Sequence, residues 1–235
     1  MQIKYFVNYE AMSEGASQQI AAKIIAKPDL LLCAASGSSP LGAYRKLAEN
    51  NSIGFEQLRI IKLDEWGGIE MNNPQSCESF LQEHVLKPME IHPDRYITFQ
   101  TNPKDKEAEC RMVSTYLENN GPIDLCVLGL GLNGHIAFNE PANFLQPFAH
   151  VAELSGTSMQ HPMASQMNEK PSFGLTLGMA EILQSRKIII AVTGSKKKEI
   201  VRDFLSGKIT TRLPASFLWL HPNVECLVDQ TVFDD

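Results

Sequence analysis

The sequence predicts a doubly wound α/β fold, in which a mostly parallel, Rossmann-like sheet is flanked by helices in a single domain over residues 1–235. Continuous apolar, β-branched runs alternate with helical patterns, which is typical of parallel strands buried on both faces. The chain has 235 residues, 43% of them hydrophobic, which is enough for one full-sized core. No internal repeat or Pro/Ser-rich linker divides it.

The period of the apolar residues predicts each element in turn. Buried strands are expected at residues 30–35, 59–64, 96–100, 124–131 and 187–194. Helices are expected at residues 16–26, 40–51, 77–89, 104–121 and 196–207. Apolar stretches at 215–222 and 225–229 finish the chain. Residues 141–175 are the least regular stretch, too long for an ordinary connection, so we expect them to form a lid or an active-site wall.

Charge and cysteine content exclude several classes of protein. The net charge of −6 argues against a general affinity for nucleic acid or for an anionic membrane. The five cysteines are odd in number and lack CxxC spacing, so we expect reduced core residues rather than a disulfide or zinc framework. The N-terminus lacks the apolar segment of a signal peptide, and no run reaches transmembrane length, which predicts a cytoplasmic protein.

Two predicted strand ends carry groups that suit a phosphate. Ligands of open parallel sheets bind beyond the carboxyl ends of the strands. The first such end carries Ser36, Gly37, Ser38 and Ser39. The last carries three consecutive lysines at the start of a helix, of which at most one can point into a cleft. Helix N–H groups, hydroxyls and an ammonium can together bind an anion. A serine-capped turn and a solvated lysine face are the alternatives.

Another strand end carries two acids. Asp64 and Glu65 directly follow an apolar run, and the next residue is Trp66. A carboxylate in this position, partly shielded by an aromatic ring, can acquire a pKa suited to proton transfer. The alternative is an acid pair on the surface that caps the following turn.

The most unusual stretch is GLGLNGHIAFNEP at residues 129–141, after a predicted strand. His135 lies between Asn133 and Glu140, whose side chains can orient and polarise the imidazole ring for acid–base chemistry. Gly129, Gly131 and Gly134 have the spacing of a dinucleotide fingerprint, but no helical pattern follows them. Asp64, His135 and Glu140 lack metal-ligand spacing, so no metal is predicted.

These motifs resemble the hexosamine-6-phosphate isomerase/deaminase family. The stretches LDEW, GLGLNGHIAFNEP and TGSKKK carry the resemblance, in the family order. Trp66, SCESFL at residues 76–81 and LPASFLWLH at residues 213–221 look closer to the galactosamine-6-phosphate branch than to the glucosamine-6-phosphate branch. The resemblance implies a Rossmann-like enzyme that converts an amino-sugar 6-phosphate to a ketohexose 6-phosphate with release of ammonia and needs no cofactor.

The same resemblance implies a role for each matching residue. Asp64 corresponds to the base that moves a proton between C2 and C1, and His135 to the group that assists opening of the pyranose ring. Glu140 corresponds to the carboxylate partner of that histidine. Residues 36–39 and Lys197 correspond to the phosphate site, and Glu65 and Gly134 are further candidates for substrate binding.

Two departures from the family pattern bear on the site. Asn133 stands where some members have aspartate, so it can hold the His135 ring by a hydrogen bond but adds no charge. An arginine expected near residues 158–166 as a phosphate clamp is absent, which leaves His161 as the candidate cation. The chain also ends without the extension of hexameric, allosteric members, so a monomer is expected.

Galactosamine-6-phosphate isomerase/deaminase is therefore the predicted activity, and the partner is a small sugar phosphate. Three alternatives stay open: a glucosamine-6-phosphate deaminase, a 6-phosphogluconolactonase-type hydrolase and a non-catalytic sugar-phosphate sensor. The lactonases share the superfamily but are not expected to carry the Asn-Glu-Pro version of the loop.

Overall fold

Ten strands form two sheets in the computed structural model, which describes residues 1–234. The strands are β1 (Gln2–Phe6), β2 (Leu31–Ala34), β3 (Arg59–Lys62), β4 (Asp64–Gly67), β5 (Tyr96–Ile97), β6 (Leu125–Gly129), β7 (His150–Ala152), β8 (Phe173–Thr176), β9 (Ile188–Val192) and β10 (Val224–Asp229). The larger sheet has seven strands in the order β1-β10-β9-β6-β2-β3-β5, and every neighbouring pair in it is parallel.

Helices cover both faces of this sheet. The α-helices within residues 1–234 are α1 (Tyr9–Ala26), α2 (Ser38–Ala48), α3 (Cys77–Leu81), α4 (Lys106–Asn120), α5 (Gly156–Met159), α6 (Pro162–Gln166), α7 (Met179–Leu183) and α8 (Lys198–Leu205). Successive residues of β2 enter different apolar clusters, because Leu31 and Cys33 face one layer while Leu32 and Ala34 face the other. A strand buried on both faces reads as a continuous apolar run, which is why the sequence revealed it. The predicted fold class is confirmed.

The strand order creates a switch point between β2 and β6. From β2 the chain adds β3 and β5 on one side, and from β6 it adds β9 and β10 on the other. Helices on the two sides of such a point diverge and leave a crevice at the carboxyl ends of the strands. The serine loop follows β2, the histidine loop follows β6 and the lysine segment follows β9.

A second, antiparallel sheet was not predicted. It has the order β4-β8-β7, and Asp64 pairs with Thr176 in it. The predicted strand 59–64 therefore ends at Lys62, and residues 64–67 form a new strand instead of a turn. β4 could not be predicted from the sequence because it is four residues long, begins with two acids and ends in glycine, and strands usually lack such residues. Trp66 packs edge-on against Phe138 with ring centroids 4.5 Å apart, which anchors the small sheet.

Other boundaries also differ from the sequence prediction. The expected helix 77–89 is an α-helix only to Leu81 and continues as a π-helical segment over Gln82–Leu86. The lysines do not all enter a helix, since Ser195–Lys197 is a 3-10 turn that precedes α8. Residues 141–175 contain the short elements β7, α5, α6 and most of β8, while the rest of the stretch is irregular, and Thr157, Ser158 and His161 in it border the cavity described below.

The cysteines behave as the sequence predicted, because all five are free and buried. Within residues 1–234, no helix has both the length and the apolar character needed to cross a membrane.

Candidate active site

A cavity of about 610 Å³ opens at the switch point of the large sheet. Eight of the predicted site residues border it: Ser36, Gly37, Ser38, Ser39, Asp64, His135, His161 and Lys197. Four others do not: Glu65, Asn133, Gly134 and Glu140. Four segments that are far apart in the sequence therefore meet around one cavity, as predicted from their positions directly after the carboxyl ends of strands.

One end of the cavity carries groups that suit an anion. Gly37 precedes α2 with a φ of +106°, a conformation that glycine adopts without strain. Ser38 and Ser39, the first residues of α2, border the cavity, and the N–H groups of a first helical turn have no partner within the helix, so they can bind an anion. Lys197 borders the same space, and burial lowers the pKa of its ammonium to about 8. A lysine with few partners at a helix N-terminus gains charge stabilisation when a phosphate enters.

His161 lies beside this anion-binding end. A Cβ atom built on Gly37 would be 4.0 Å from Nε2 of His161. The Nδ1 atom accepts a hydrogen bond from the backbone N–H of Met163 at 3.3 Å, so the neutral ring carries its proton on Nε2. Burial, followed by the charges of His135 and Lys197, lowers the pKa of His161 to about 4. His161 is therefore a neutral N–H donor at neutral pH, not the cation that the sequence predicted.

Asp64 borders the cavity from the start of β4. Burial, with a further contribution from the negative charge of Glu65, raises the pKa of Asp64 to about 7, and Lys62 and Cys77 oppose that rise. A carboxyl group with this pKa changes protonation state near neutral pH, which is the property that a general base needs.

Glu65 does not reach the cavity, contrary to the prediction that it contacts substrate. Its carboxylate is fully buried and accepts hydrogen bonds from Nζ of Lys62 at 2.7 Å and from the backbone N–H groups of Trp66, Cys77 and Glu78. Glu65 thus fixes the N-terminus of α3 against β4. The alternation of side chains along a strand explains the difference, because neighbours such as Asp64 and Glu65 face opposite sides.

His135 and Glu140 form the pair that the sequence predicted. Nδ1 of His135 lies 3.4 Å from Oε2 of Glu140. Burial alone would raise the pKa of Glu140, but the hydrogen bond and charge of His135, together with Ser158 and Asn133, hold it at about 2. Because the ionised carboxylate engages Nδ1, the Nε2 atom of the ring is left to exchange protons with a ligand. Gly131 makes room for the ring, since a Cβ there would lie 2.3 Å from Cδ2 of His135.

Asn133 and Gly134 support this pair from outside the cavity. The Asn133 amide donates to Oε2 of Glu140 at 2.8 Å, and its carbonyl oxygen accepts the backbone N–H of His135 at 3.2 Å. Asn133 therefore holds the carboxylate and the backbone of the pair, not the imidazole ring as the sequence predicted. Gly134 accepts a backbone hydrogen bond from Ala215, and a Cβ on it would lie 2.1 Å from Cδ1 of Leu213. The prediction of substrate contact at Gly134 is therefore not met in this structure.

Three further residues at the site, Ser158, Cys77 and His84, were not predicted from the sequence. Ser158 donates a short hydrogen bond to Oε1 of Glu140 and lies 3.4 Å from Nδ1 of His135, so it completes the histidine–carboxylate pair. Cys77 lies beside Asp64, and His84, in the π-helical segment, borders the cavity. Ser158 and His84 belong to no motif with a local signal, and Cys77 lies in the stretch SCESFL, which carried the family resemblance but gave no chemical role to the cysteine. Within the described part of the chain, no group of three or more His, Cys, Asp or Glu side chains is arranged to hold a metal ion.

A doubly wound sheet with a carboxyl base, an orientated imidazole and an anion-binding end defines an enzyme that moves protons on a small anionic substrate. The sequence profile of the family described as glucosamine-6-phosphate isomerases/6-phosphogluconolactonase matches residues 8–228. The chain belongs to this family, and the resemblance to the hexosamine-6-phosphate isomerase/deaminases is confirmed.

Individual relatives cover nearly the whole chain. The protein AgaI of Escherichia coli (strain K12), whose name describes it provisionally as a deaminase, is 40% identical over 225 residues, which are 94% of this chain and 89% of AgaI. A glucosamine-6-phosphate deaminase of Halothermothrix orenii is 35% identical, with 95% of each chain covered.

Solved structures of related proteins also match nearly the whole chain. A monomeric glucosamine-6-phosphate deaminase of the NagB superfamily superimposes with a TM-score of 0.94 at 32% identity, covering 99% of this chain and 98% of that one. The 6-phosphogluconolactonase of Trypanosoma brucei has a TM-score of 0.78 at 22% identity, covering 98% and 97%, which shows a shared fold only.

Proposed function

We propose that this enzyme is a galactosamine-6-phosphate isomerase/deaminase, which converts galactosamine 6-phosphate and water into tagatose 6-phosphate and ammonia. One observation carries the proposal: Asp64 and His135 border the same cavity as the serine loop and Lys197. A base, an imidazole and an anion-binding end around one space of about 610 Å³ suit proton transfer on a phosphorylated sugar.

The first step of the proposed reaction opens the sugar ring. The phosphate binds between the N-terminus of α2 and Lys197, with Nε2–H of His161 as a further donor. His135 moves a proton from the C1 hydroxyl to the ring oxygen, the C1–O5 bond breaks, and a C1 aldehyde forms. Glu140 stabilises the imidazolium that exists during this transfer.

The second step moves hydrogen from C2 to C1. Asp64 removes the C2 proton and delivers it to C1 through an enolamine, while one proton of the C2 ammonium passes to the C1 oxygen. The product has a C1 hydroxymethyl group and a C2 iminium. Water adds to C2, and ammonium leaves to give the ketose. Asp64 begins and ends ionised, so it acts as a catalyst.

Preference for the galacto sugar is supported by residues around the cavity. Trp66, one of the features that resembles the galactosamine-6-phosphate branch, borders the cavity and lies with its ring centroid 6.1 Å from that of His161. The alternative substrate is glucosamine 6-phosphate, which the names of the 35% identical relative and of the superimposed deaminase favour. The two sugars differ at the C4 hydroxyl, and a buried polar partner can discriminate such an inversion.

The activity is tested by incubating the purified enzyme with each amino-sugar phosphate and measuring ammonia and ketohexose phosphate. We expect both sugars to be distinguished by kcat/KM, with galactosamine 6-phosphate preferred. A preference for glucosamine 6-phosphate would establish the alternative. Absence of ammonia from both sugars, with binding retained, would make the protein a sensor, and hydrolysis of 6-phosphogluconolactone alone would make it a lactonase.

His161 provides a separate test of phosphate binding. His161→Ala should raise KM about 10-fold with little change in kcat, because a hydrogen bond to a charged phosphate acts equally in ground and transition states. His161→Gln is the matched control, since its amide N–H can replace Nε2–H. Equal KM values for all three proteins would show that His161 does not contact the phosphate.

We further propose a monomeric, cytoplasmic, single-domain protein. The monomeric state of the superimposed deaminase supports the first point. Five free, buried cysteines support a reducing compartment. The span of the family match, residues 8–228, supports a single domain.

A further inference from the structure

Cys77 connects the anion-binding loop to the carboxyl base. The Ser36 hydroxyl donates to Sγ of Cys77 at 3.1 Å, and the Cys77 thiol donates to Oδ1 of Asp64 at 3.8 Å. The cysteine side chain borders the cavity, although the residue is only 2% exposed. Among the hydrogen bonds found in residues 1–234, this thiol is the side-chain donor that reaches the Asp64 carboxylate.

The position of the thiol is fixed by buried charge. Cys77 is the first residue of α3, and its backbone N–H donates to Oε1 of Glu65 at 2.9 Å. Glu65 is itself held by Lys62 at 2.7 Å, and neither of these side chains is exposed. A donor mounted on a helix terminus that is anchored in this way has little freedom to move, so it can define the orientation of the carboxylate it touches.

We propose that Cys77 is a positioning residue for Asp64, whose thiol orients the carboxylate toward the cavity while leaving it basic. This inference rests on the proposed function, in which Asp64 carries the substrate proton. A thiol is a weak hydrogen-bond donor, so it stabilises the carboxylate anion less than a hydroxyl does. A methyl group in its place would leave the carboxylate free to rotate between productive and unproductive orientations.

Other ionisable groups around Asp64 also influence its pKa. They include Lys62 of β3, Glu65 of β4, Cys33 of β2 and Tyr44 of α2, together with Glu78 of α3, which pairs with Lys62. His135, His161 and Lys197 border the same cavity. Substitution of Cys77 leaves all of these groups in place, so a change in the titration of Asp64 can be assigned to the thiol.

The experiment compares the pH profiles of kcat and kcat/KM for wild type, Cys77→Ala, Cys77→Ser and Cys110→Ala. Cys77→Ala should lower kcat about 10-fold and move the acidic limb up by about 0.5 to 1 pH unit, because the anion loses a donor. Cys77→Ser should recover most of kcat and place the limb below that of Cys77→Ala. Cys110→Ala removes an equally buried thiol away from the site and should leave the profile unchanged.

Direct titration of Asp64 separates this inference from the proposed function. Carbon-13 NMR of labelled aspartate carboxyl groups, with the signal assigned by Asp64→Asn, needs no substrate. A wild type that releases no ammonia would contradict the function, whereas the NMR comparison would still test Cys77. Identical Asp64 titrations and unchanged kcat in both Cys77 variants would overturn the inference. If Cys77→Ala does not fold, the Cys77→Ser titration decides, since a hydroxyl must shift it from the wild-type position.

Discussion

Asp64→Asn is expected to lower kcat for ammonia release by about 10²- to 10⁴-fold, the range that general acid–base catalysis contributes. The amide has nearly the shape of the carboxyl group but cannot accept the C2 proton. Sugar-phosphate binding should change little, because the groups that we propose hold the phosphate are at the N-terminus of α2 and at Lys197. Turnover is measured by ammonia release, and affinity by calorimetric titration with galactosamine 6-phosphate.

The same carboxyl group should control the acidic side of the wild-type pH profile. Burial and the charge of Glu65 raise the pKa of Asp64 to about 7, so the base is increasingly protonated, and inactive, as pH falls below that value. kcat/KM should therefore rise with pH through about 7 and then level off.

Asp94→Asn is the matched control, since Asp94 is an exposed aspartate outside the cavity. It should keep wild-type turnover. If Asp64→Asn keeps its activity, the chemistry does not use a C2 base, and lactone hydrolysis becomes the better assignment. If it instead loses affinity for the sugar phosphate, Asp64 is a binding residue.

Much of the fold and part of the site could be predicted because their signals are local. The parallel strands are continuous apolar runs, and each chemical motif follows a strand directly. Ligands of open parallel sheets bind beyond the carboxyl ends of the strands, so the motifs could be predicted to lie around one site. The small sheet was missed because β4 and β8 are four residues long, and they pair across more than 100 positions of sequence.

The residues that the sequence could not reveal act through long-range contacts. Cys77 meets Ser36 across 41 positions, and Ser158 meets Glu140 across 18. Each is a small polar residue in an ordinary helical context, so only the folded structure shows what it touches. Glu65 was misjudged for a related reason: its chemistry resembles that of Asp64, but its side chain points into the protein, where Lys62 neutralises it.

Lys62→Met is expected to lower the free energy of unfolding by about 3–5 kcal/mol, the cost of breaking a buried ion pair. The Lys62 side chain is fully buried, and Nζ lies 2.7 Å from Glu65 and 2.9 Å from Glu78. Methionine fills similar volume but leaves two carboxylates inside the protein with no cation. Chemical denaturation measures the loss. The slope of the free energy of unfolding against denaturant concentration must be compared between the proteins, because a changed midpoint reports stability alone only when this slope is the same.

Arg202→Met is the control, because its pair with Glu199 is exposed and such pairs contribute little. Adding Glu78→Gln to Lys62→Met should recover part of the stability, since one unpaired charge is removed.

Lys62→Met also has a catalytic consequence. The positive charge of Lys62 lowers the pKa of Asp64, so Lys62→Met should raise that pKa and move the acidic limb of kcat/KM to higher pH. A loss of stability no larger than that of Arg202→Met, together with an unmoved acidic limb, would show that the buried cluster neither supports the fold nor tunes the base.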